Sequence, residues 1–566
     1  MLFSDMPYVR PDLEFLGEMI AEHVEELKNA QSFEEADRAF DALEKVFFSV
    51  DTAVNLCFIR HSVDTEDEYY SQEVDCLNEI LPQLEEIRQG VYGALYASPF
   101  RPDFERKYGT LLFTNIGIRL RSFDPKLIPY MQEENKLTTA YGKLLASAQI
   151  PFEGQVLNLA QVGAYKESTD SAMRKKAWLA QADFYSEHQQ ELDGIYDKLT
   201  ALRTKMGREL GYETYVPLGY DRMERNCYTE ADVKKFRKAI IEYVVPVADR
   251  LYREQAKRLN VPYPLSYADT APMFLSGNSK PLGTADDILA AGKKFYHELS
   301  PETAEFIDFM FKNELMDVLA RKGKEGGGYC NDLPDYRAPF IFANFNGTQG
   351  DVEVLTHEGG HAFAYYTARN VFPRELQNPT MESAEIHSMS MEFFAWPWAE
   401  DFFGEDADKY RYSHLAGAIT FLPYGTMVDH FQHIIYENPD LTPDERHEKW
   451  AELTKIYMPW IRLGDMPFWG EGKAWQRQSH IYESPFYSID YCLAQSVALQ
   501  FWALMQQDRA KAWARYYDLV KLAGTRTYRE LVTSAGLDDP FEPEGLRAAC
   551  EAAVKWLDGC DMTKIK

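Results

Sequence analysis

Long apolar runs are missing from this chain: no stretch of eighteen apolar residues occurs in its 566, which excludes a transmembrane helix. Cysteine is scarce, with 7 residues, an odd number, scattered without close pairs. That excludes a disulfide scaffold and points to reduced thiols in a cytoplasmic setting. Positive charge is in deficit: 60 lysines and arginines face 89 acids, a formal net charge of -29. A nucleic-acid partner is excluded, because its phosphate backbone would be repelled. The segment from Met1 to Arg10 lacks the basic start and apolar core of a signal peptide. No internal repeat stands out, which argues against a solenoid.

What is present is helical periodicity. The segments Phe33 to Cys57, Ser71 to Leu95, Ser171 to Met206, Ala231 to Leu259 and Thr303 to Arg321 read as long amphipathic helices. Only residues around 148 to 165 and 326 to 346 read as strands. With no low-complexity linker, a chain of this length is expected to form two interlocked lobes, a helical region over 1–150 and a larger helical region over 151–566.

Histidine is also rare, 12 in all, yet two of them stand four apart in His357-Glu358-Gly359-Gly360-His361. On a helix this spacing puts both imidazoles on one face, where they can converge on one metal ion. Glu358 then points beside the metal, where a base would take a proton from water. Val354, Leu355, Ala362 and Phe363 surround the motif with apolar residues, so the helix is expected to be buried. A buried helix carries two histidines and a glutamate only if something satisfies them. Gly359 and Gly360 weaken the helix and imply close approach of another backbone or a ligand.

A catalytic zinc needs a third protein ligand. Ala364 and Thr367 stand where the extended His-x-x-Gly-x-x-His pattern needs glycine and histidine, and Thr380 and Met381 stand where thermolysin-type enzymes place glutamate. The next acids are Glu382, Glu385 and Glu392, spaced to share a helix face among Met389, Met391, Phe393, Phe394, Trp396 and Trp398. Glu385 is the expected third ligand, completing a site for one zinc ion with His357 and His361. Glu382 and Glu392 are expected to hold the ligand imidazoles in one tautomer, and His387 to be a core or supporting histidine. Residues 338 to 346, bounded by Pro339 and Asn346-Gly347, read as an edge strand ending in a turn, and Gly326-Gly327-Gly328-Tyr329 as a loop beside the cleft.

Together with Ala338-Pro339-Phe340-Ile341-Phe342-Ala343-Asn344-Phe345-Asn346-Gly347-Thr348 and His480-Ile481-Tyr482-Glu483-Ser484-Pro485-Phe486-Tyr487-Ser488-Ile489-Asp490-Tyr491, these motifs resemble the oligoendopeptidase F branch of the thimet oligopeptidase and neurolysin family of zinc peptidases. The resemblance implies a mainly α, two-lobed, neurolysin-like fold enclosing a deep channel, with a small β-sheet beside the zinc helix. It implies an endopeptidase that cuts short unstructured peptides. It further implies that a peptide adds to the strand carrying Ala343, Asn344, Phe345 and Gly347, and that His480, Tyr487 and Tyr491 reach over the metal as donors to the oxyanion and the substrate backbone.

Two other readings fit parts of this pattern. A metallocarboxypeptidase or a dipeptidyl carboxypeptidase of the angiotensin-converting type shares the glutamate spacing, but such secreted relatives usually carry the signal peptide and disulfides missing here. A catalytically silent peptide-binding protein has no need for Glu358. Oligomeric state is not legible in the sequence.

Overall fold

The structure is a computed structural model that describes every residue except 564 and 566. Helices α1 (Leu13–Asn29), α2 (Phe33–Val63) and α3 (Glu68–Tyr96) open the chain, each started by a side chain that accepts first-turn N–H groups: Asp12, Ser32 and Asp67. Their apolar faces meet in a core of their own, built on Leu16, Phe40, Phe47 and Val91 and joined by Phe104 from the next helix. A second, much larger core runs from Leu56 and Tyr141 through the rest of the chain.

The expected helices from Phe33 and from Ser71 form and extend a few residues further. That from Ser171 breaks at His188 into Ser171–Glu187 and Gln189–Glu209. Residues 230 to 259 stay helical, with a π turn over Ile240–Val244 just before Pro246, whose missing N–H the wider turn accommodates. The expectation over Thr303 to Arg321 is corrected: the helix Pro301–Lys312 stops, Glu314 takes a left-handed φ of 54°, and the chain enters strand β3 (Met316–Leu319).

Residues 148 to 165 are likewise strand only in part. A hairpin of β1 (Ile150–Phe152) and β2 (Gln155–Leu157) turns through Glu153 and Gly154, both at positive φ, and Leu159–Tyr165 is helix. The second sheet is ordered β3-β5-β4, with β4 (Tyr329–Leu333) antiparallel and β3 parallel to β5 (Ala338–Phe345). The segment expected at the sheet edge is therefore its centre. All of β5 except Asn344 is buried, as an unbroken apolar run on a central strand should be.

After β5 the chain turns sharply. The N–H groups of Asn346 and Gly347 donate to the buried Asp351 carboxylate at 2.9 and 2.8 Å, and helix α4 (Gly350–Ala368) begins. Three more helices complete the surroundings of the site: α5 (Met381–Phe394), α6 (Ala407–Glu437) and α7 (Ser488–Met505). A cleft opens between the N-terminal helices and this group, as two adjoining cavities of about 410 and 590 Å³ that share Asn331, Asp332, Asn378, Pro379 and Met381. Among the described residues no helix is long and apolar enough to cross a membrane, and all seven cysteines are free thiols.

Candidate metal centre and active site

Helices α4 and α5 come close because Gly360 of α4 has no side chain where it faces α5, and Gly359 makes the same room for Tyr296 of the helix Ala285–Leu299. A Cβ on Gly360 would stand 2.6 Å from the His387 carbonyl oxygen and 2.7 Å from Ser388 Cα, and one on Gly359 would strike the Tyr296 hydroxyl. This contact brings Glu385 of α5 under the two histidines of α4. Glu385 Oε2 lies 3.2 Å from His357 Nε2 and 3.2 Å from His361 Nε2. Ligand atoms about 2.0–2.2 Å from a tetrahedral metal stand roughly 3.4 Å from one another, so the three donors fit one ion. Their atoms all lie within 4.8 Å of each other.

The donor set is held from behind by a chain of hydrogen bonds whose direction can be worked out. An indole N–H only donates, and Trp396 Nε1 is 2.9 Å from His414 Nδ1, so that nitrogen is the acceptor. The His414 proton is therefore on Nε2, 2.7 Å from Glu392 Oε2. Glu392 Oε1 in turn meets His357 Nδ1 at 2.7 Å, which leaves the His357 Nε2 lone pair facing the metal position. Burial would raise the Glu392 pKa, but the hydrogen bonds from His357 and His414 hold it below the usual carboxylate range. Glu385 is fixed at both oxygens, by Ser388 Oγ at 2.8 Å and by the Tyr487 hydroxyl at 2.5 Å.

Glu358 is buried, and its Oε2 has no hydrogen-bond partner among the described residues. Burial raises its pKa above the usual carboxylate value, and the neighbouring His357 and His361 oppose that rise. His480, Tyr487 and Tyr491 line the same cavity. Their segment is held by strain and charge. Phe486 adopts φ 69°, its N–H donates to Gln432 Oε1 at 2.9 Å, its carbonyl accepts from Arg225 at 2.6 Å, and its ring fills the space beside Gly219. Such a backbone costs about 1–3 kcal/mol and persists only where the surroundings impose it. Arg225 and Tyr228 also hold the buried Asp490 at 3.3 and 3.1 Å.

The tautomer of His480 follows from its neighbours too. The Tyr424 hydroxyl donates to Gln478 Oε1 at 3.0 Å, so the Gln478 amide nitrogen faces His480 Nδ1 at 2.9 Å. His480 thus carries its proton on Nε2, which donates to the Tyr491 oxygen at 3.2 Å. Burial lowers the His480 pKa and raises those of both tyrosines, so all three remain neutral donors near pH 7.

The structure corrects two placements. Glu382 does not reach the ligand imidazoles: it accepts from Thr380 Oγ1 at 2.6 Å, its other oxygen has no partner, and burial raises its pKa to about 6. A spacing of three positions turns a helix by about 300°, and the remaining 60° aims Glu382 toward the Arg225 side. Ala343, Asn344, Phe345 and Gly347 do not line the cleft: the Ala343 carbonyl accepts from Lys324 at 2.5 Å, Asn344 donates to the Glu325 and Gly327 carbonyls, and Gly347 serves the turn into α4. The free edge lining the cavity is β4, from Tyr329 to Asp332, with Gly328 before it. His387 is buried and lines the cavity, its pKa pushed down to about 3 by burial. His414, Ser388 and Gln478 were not singled out from sequence. Only His414 left a trace there, as a rare histidine in an apolar helix.

Two histidines and a carboxylate on packed helices, with a glutamate and neutral donors lining the same cavity in a mainly α fold, make up a metallopeptidase site. Family comparison matches residues 3–123 to the Peptidase M3 N-terminal domain and residues 295–550 to Peptidase family M3. Among solved structures, one provisionally named oligoendopeptidase F is 45% identical over 99% of both chains with a TM-score of 0.98. PZ peptidase A, solved with an inhibitor, is 43% identical over 99% of both chains, also at 0.98. A crystal structure from Bacillus anthracis strain Ames, under the same provisional name as the first, is 42% identical over 100% of this chain and 99% of that one, at 0.94. Among curated proteins, none matches. The chain belongs to peptidase family M3.

Proposed function

We propose that this enzyme is a zinc-dependent oligoendopeptidase that hydrolyses internal bonds of short unstructured peptides in a reducing, cytoplasmic compartment. The observation that carries the reading is the spacing of His357 Nε2, His361 Nε2 and Glu385 Oε2, which suits a tetrahedral ion with two imidazoles and one carboxylate. Bound there, zinc supplies a Lewis acid that polarises the scissile carbonyl and lowers the pKa of water towards 7.

The chain's own groups do the rest. The unpartnered edge of β4 offers main-chain hydrogen bonds to an extended peptide regardless of its sequence. Glu358, raised in pKa by burial and free of hydrogen bonds at Oε2, takes the proton of the attacking water and passes it to the leaving amine nitrogen. The two tyrosines have different work. The Tyr487 proton is committed to Glu385, so Tyr487 positions a ligand, whereas Tyr491 accepts from His480 and keeps its own proton for the oxyanion.

The test is Glu358→Gln. Its metal content should match the wild type while hydrolysis of an internally quenched peptide blocked at both ends falls about 10²–10⁴-fold. Retained turnover would remove Glu358 as the base. As a control, Glu385→Ala should lose the metal, and full stoichiometric metal in that variant would reject the ligand set.

A further inference from the structure

Behind Tyr491 lies a cavity of about 250 Å³ with aromatic walls, including Trp178, Trp450, Trp460, Trp469 and Tyr424. It adjoins the active site. The ring of Phe421, in its wall, packs edge-on against Tyr491 at 6.4 Å, and Tyr424 begins the hydrogen-bonded path through Gln478 and His480 to the Tyr491 hydroxyl.

Three of its polar groups are buried donors without acceptors among the described residues. They are the indole nitrogens of Trp178, Trp450 and Trp460. Arg477 lines the cavity, its guanidinium carbon 5.7 Å from the Tyr424 ring centre and 5.8 Å from that of Trp469. Lys166 stands over Trp178 at 3.7 Å and over Trp469 at 4.6 Å. In a chain with 89 acids to 60 basic residues, cations are readily paired, and Lys473, one turn from Arg477, bonds Glu471. Arg477 and Lys166 have no carboxylate within ion-pair distance among the described residues. Burial, and after it the charge of Arg477, hold the Lys166 pKa well below the usual lysine value. Arg477 itself is exposed, its charge favoured by Tyr424, so it is free to take an anion at the cavity, and an anion there would also ease the buried Lys166 behind Trp178 and Trp469.

We propose that this cavity is a subsite for the free C-terminal residue of a bound peptide, Arg477 taking the α-carboxylate and the aromatic walls taking an apolar side chain. The proposal rests on the peptidase reading above. Size favours one residue, since cavities for whole ligands run to roughly 300–1,000 Å³. Chemistry favours a terminal residue over an internal Asp or Glu: an acidic side chain would satisfy Arg477 but leave the indole walls uncovered, whereas a C-terminal Phe or Leu brings carboxylate and apolar surface together. The same hydrogen-bonded path ties occupancy of the cavity to the His480–Tyr491 pair.

The test compares peptides of one sequence, ending in Phe, as the free acid and as the C-terminal amide. Wild-type kcat/KM should favour the acid by about 10- to 100-fold, the range of a hydrogen bond to a charged group. In Arg477→Gln that ratio should fall to about one, and Arg477→Lys should lie between. Titrating the same pair onto the Glu358→Gln enzyme reads binding without turnover and should show the same preference. A wild-type ratio near one, with both peptides hydrolysed, would overturn the subsite and leave the peptidase reading standing. A ratio that survives Arg477→Gln would overturn it as well. Failure to hydrolyse either peptide would count against the peptidase reading and this one with it.

Discussion

The wall that carries the proposed metal ligands and the aromatic cavity beyond Tyr491 treat polar groups in opposite ways. In the first, Trp396, His414, Glu392 and His357 answer one another in a single hydrogen-bonded sequence, and Glu385 is held at both oxygens. In the second, three buried indole N–H groups find no acceptor among the described residues, and the exposed Arg477 lies at their side without an ion pair among them. A buried donor without a partner costs about 1–3 kcal/mol, so neither pattern is neutral. Polar groups satisfied within the chain fix geometry; those left open await something the chain does not contain. Glu358 obeys the same rule inside the metal wall, for the oxygen it leaves free belongs to the group assigned the moving proton.

Tyr491 stands where the two regions join, and Tyr491→Phe is the sharpest way to separate them. The phenyl ring keeps the packing against Phe421 and Tyr487 but removes the hydroxyl that ends the path from Tyr424. We expect kcat to fall about 10²–10³-fold, as for other lost oxyanion donors, with metal content unchanged. The same loss in Tyr487→Phe without any loss of metal affinity would show that the division of labour between the tyrosines is drawn wrongly.

The closed sequence can be broken at its remote end. His414 is two hydrogen bonds from His357, and replacing it by Phe leaves Glu392 Oε2 without its donor. Metal affinity should drop 10–100-fold, the usual effect of disturbing a group that orients a ligand. Competition with a chelator measures this directly, and unchanged affinity would mean that Glu392 alone fixes the imidazole.

These contrasts bear on how far the sequence could be read. The convergence of His357, His361 and Glu385 was legible because a four-residue spacing has a fixed meaning on a helix, and the aromatic density around Glu385 marked its helix as buried. Glu392 and the two tyrosines were also singled out, but their geometry was not. Their partners come from elsewhere: His414 lies 22 residues after Glu392, and Arg225 lies far upstream of Asp490. Strand order was misread although a signal existed. Residues 338 to 343 are apolar without alternation, the mark of a strand covered on both faces, and the turn signals around them say nothing about neighbours. The long helix expected from Thr303 failed for a local reason, since Asn313-Glu314 ends it and the residues beyond pair with β5. Arg477 was invisible, because an arginine becomes informative only when its lack of a partner is seen.

Glu382 offers the smallest effect and a test of the rule itself. It lies on the metal wall but behaves like the open cavity, buried, with one oxygen unpartnered and a pKa raised to about 6 by burial. The unfolded chain releases this proton near 4.5, whereas the folded protein keeps it to about 6. The folded state therefore binds more protons across that window, and stability is lost as pH rises from about 4.5 through 6. Above the window the loss amounts to about 2 kcal/mol. Glu382→Gln keeps the shape and abolishes the titration. Relative to the wild type it should gain about 2 kcal/mol between pH 4.5 and pH 8, read from denaturant unfolding at both, with metal content unaffected. A difference between the two proteins that does not change with pH would show that Glu382 stays ionised in the fold, answered by Arg225 after all, and the open oxygen would then belong to the closed side of the comparison.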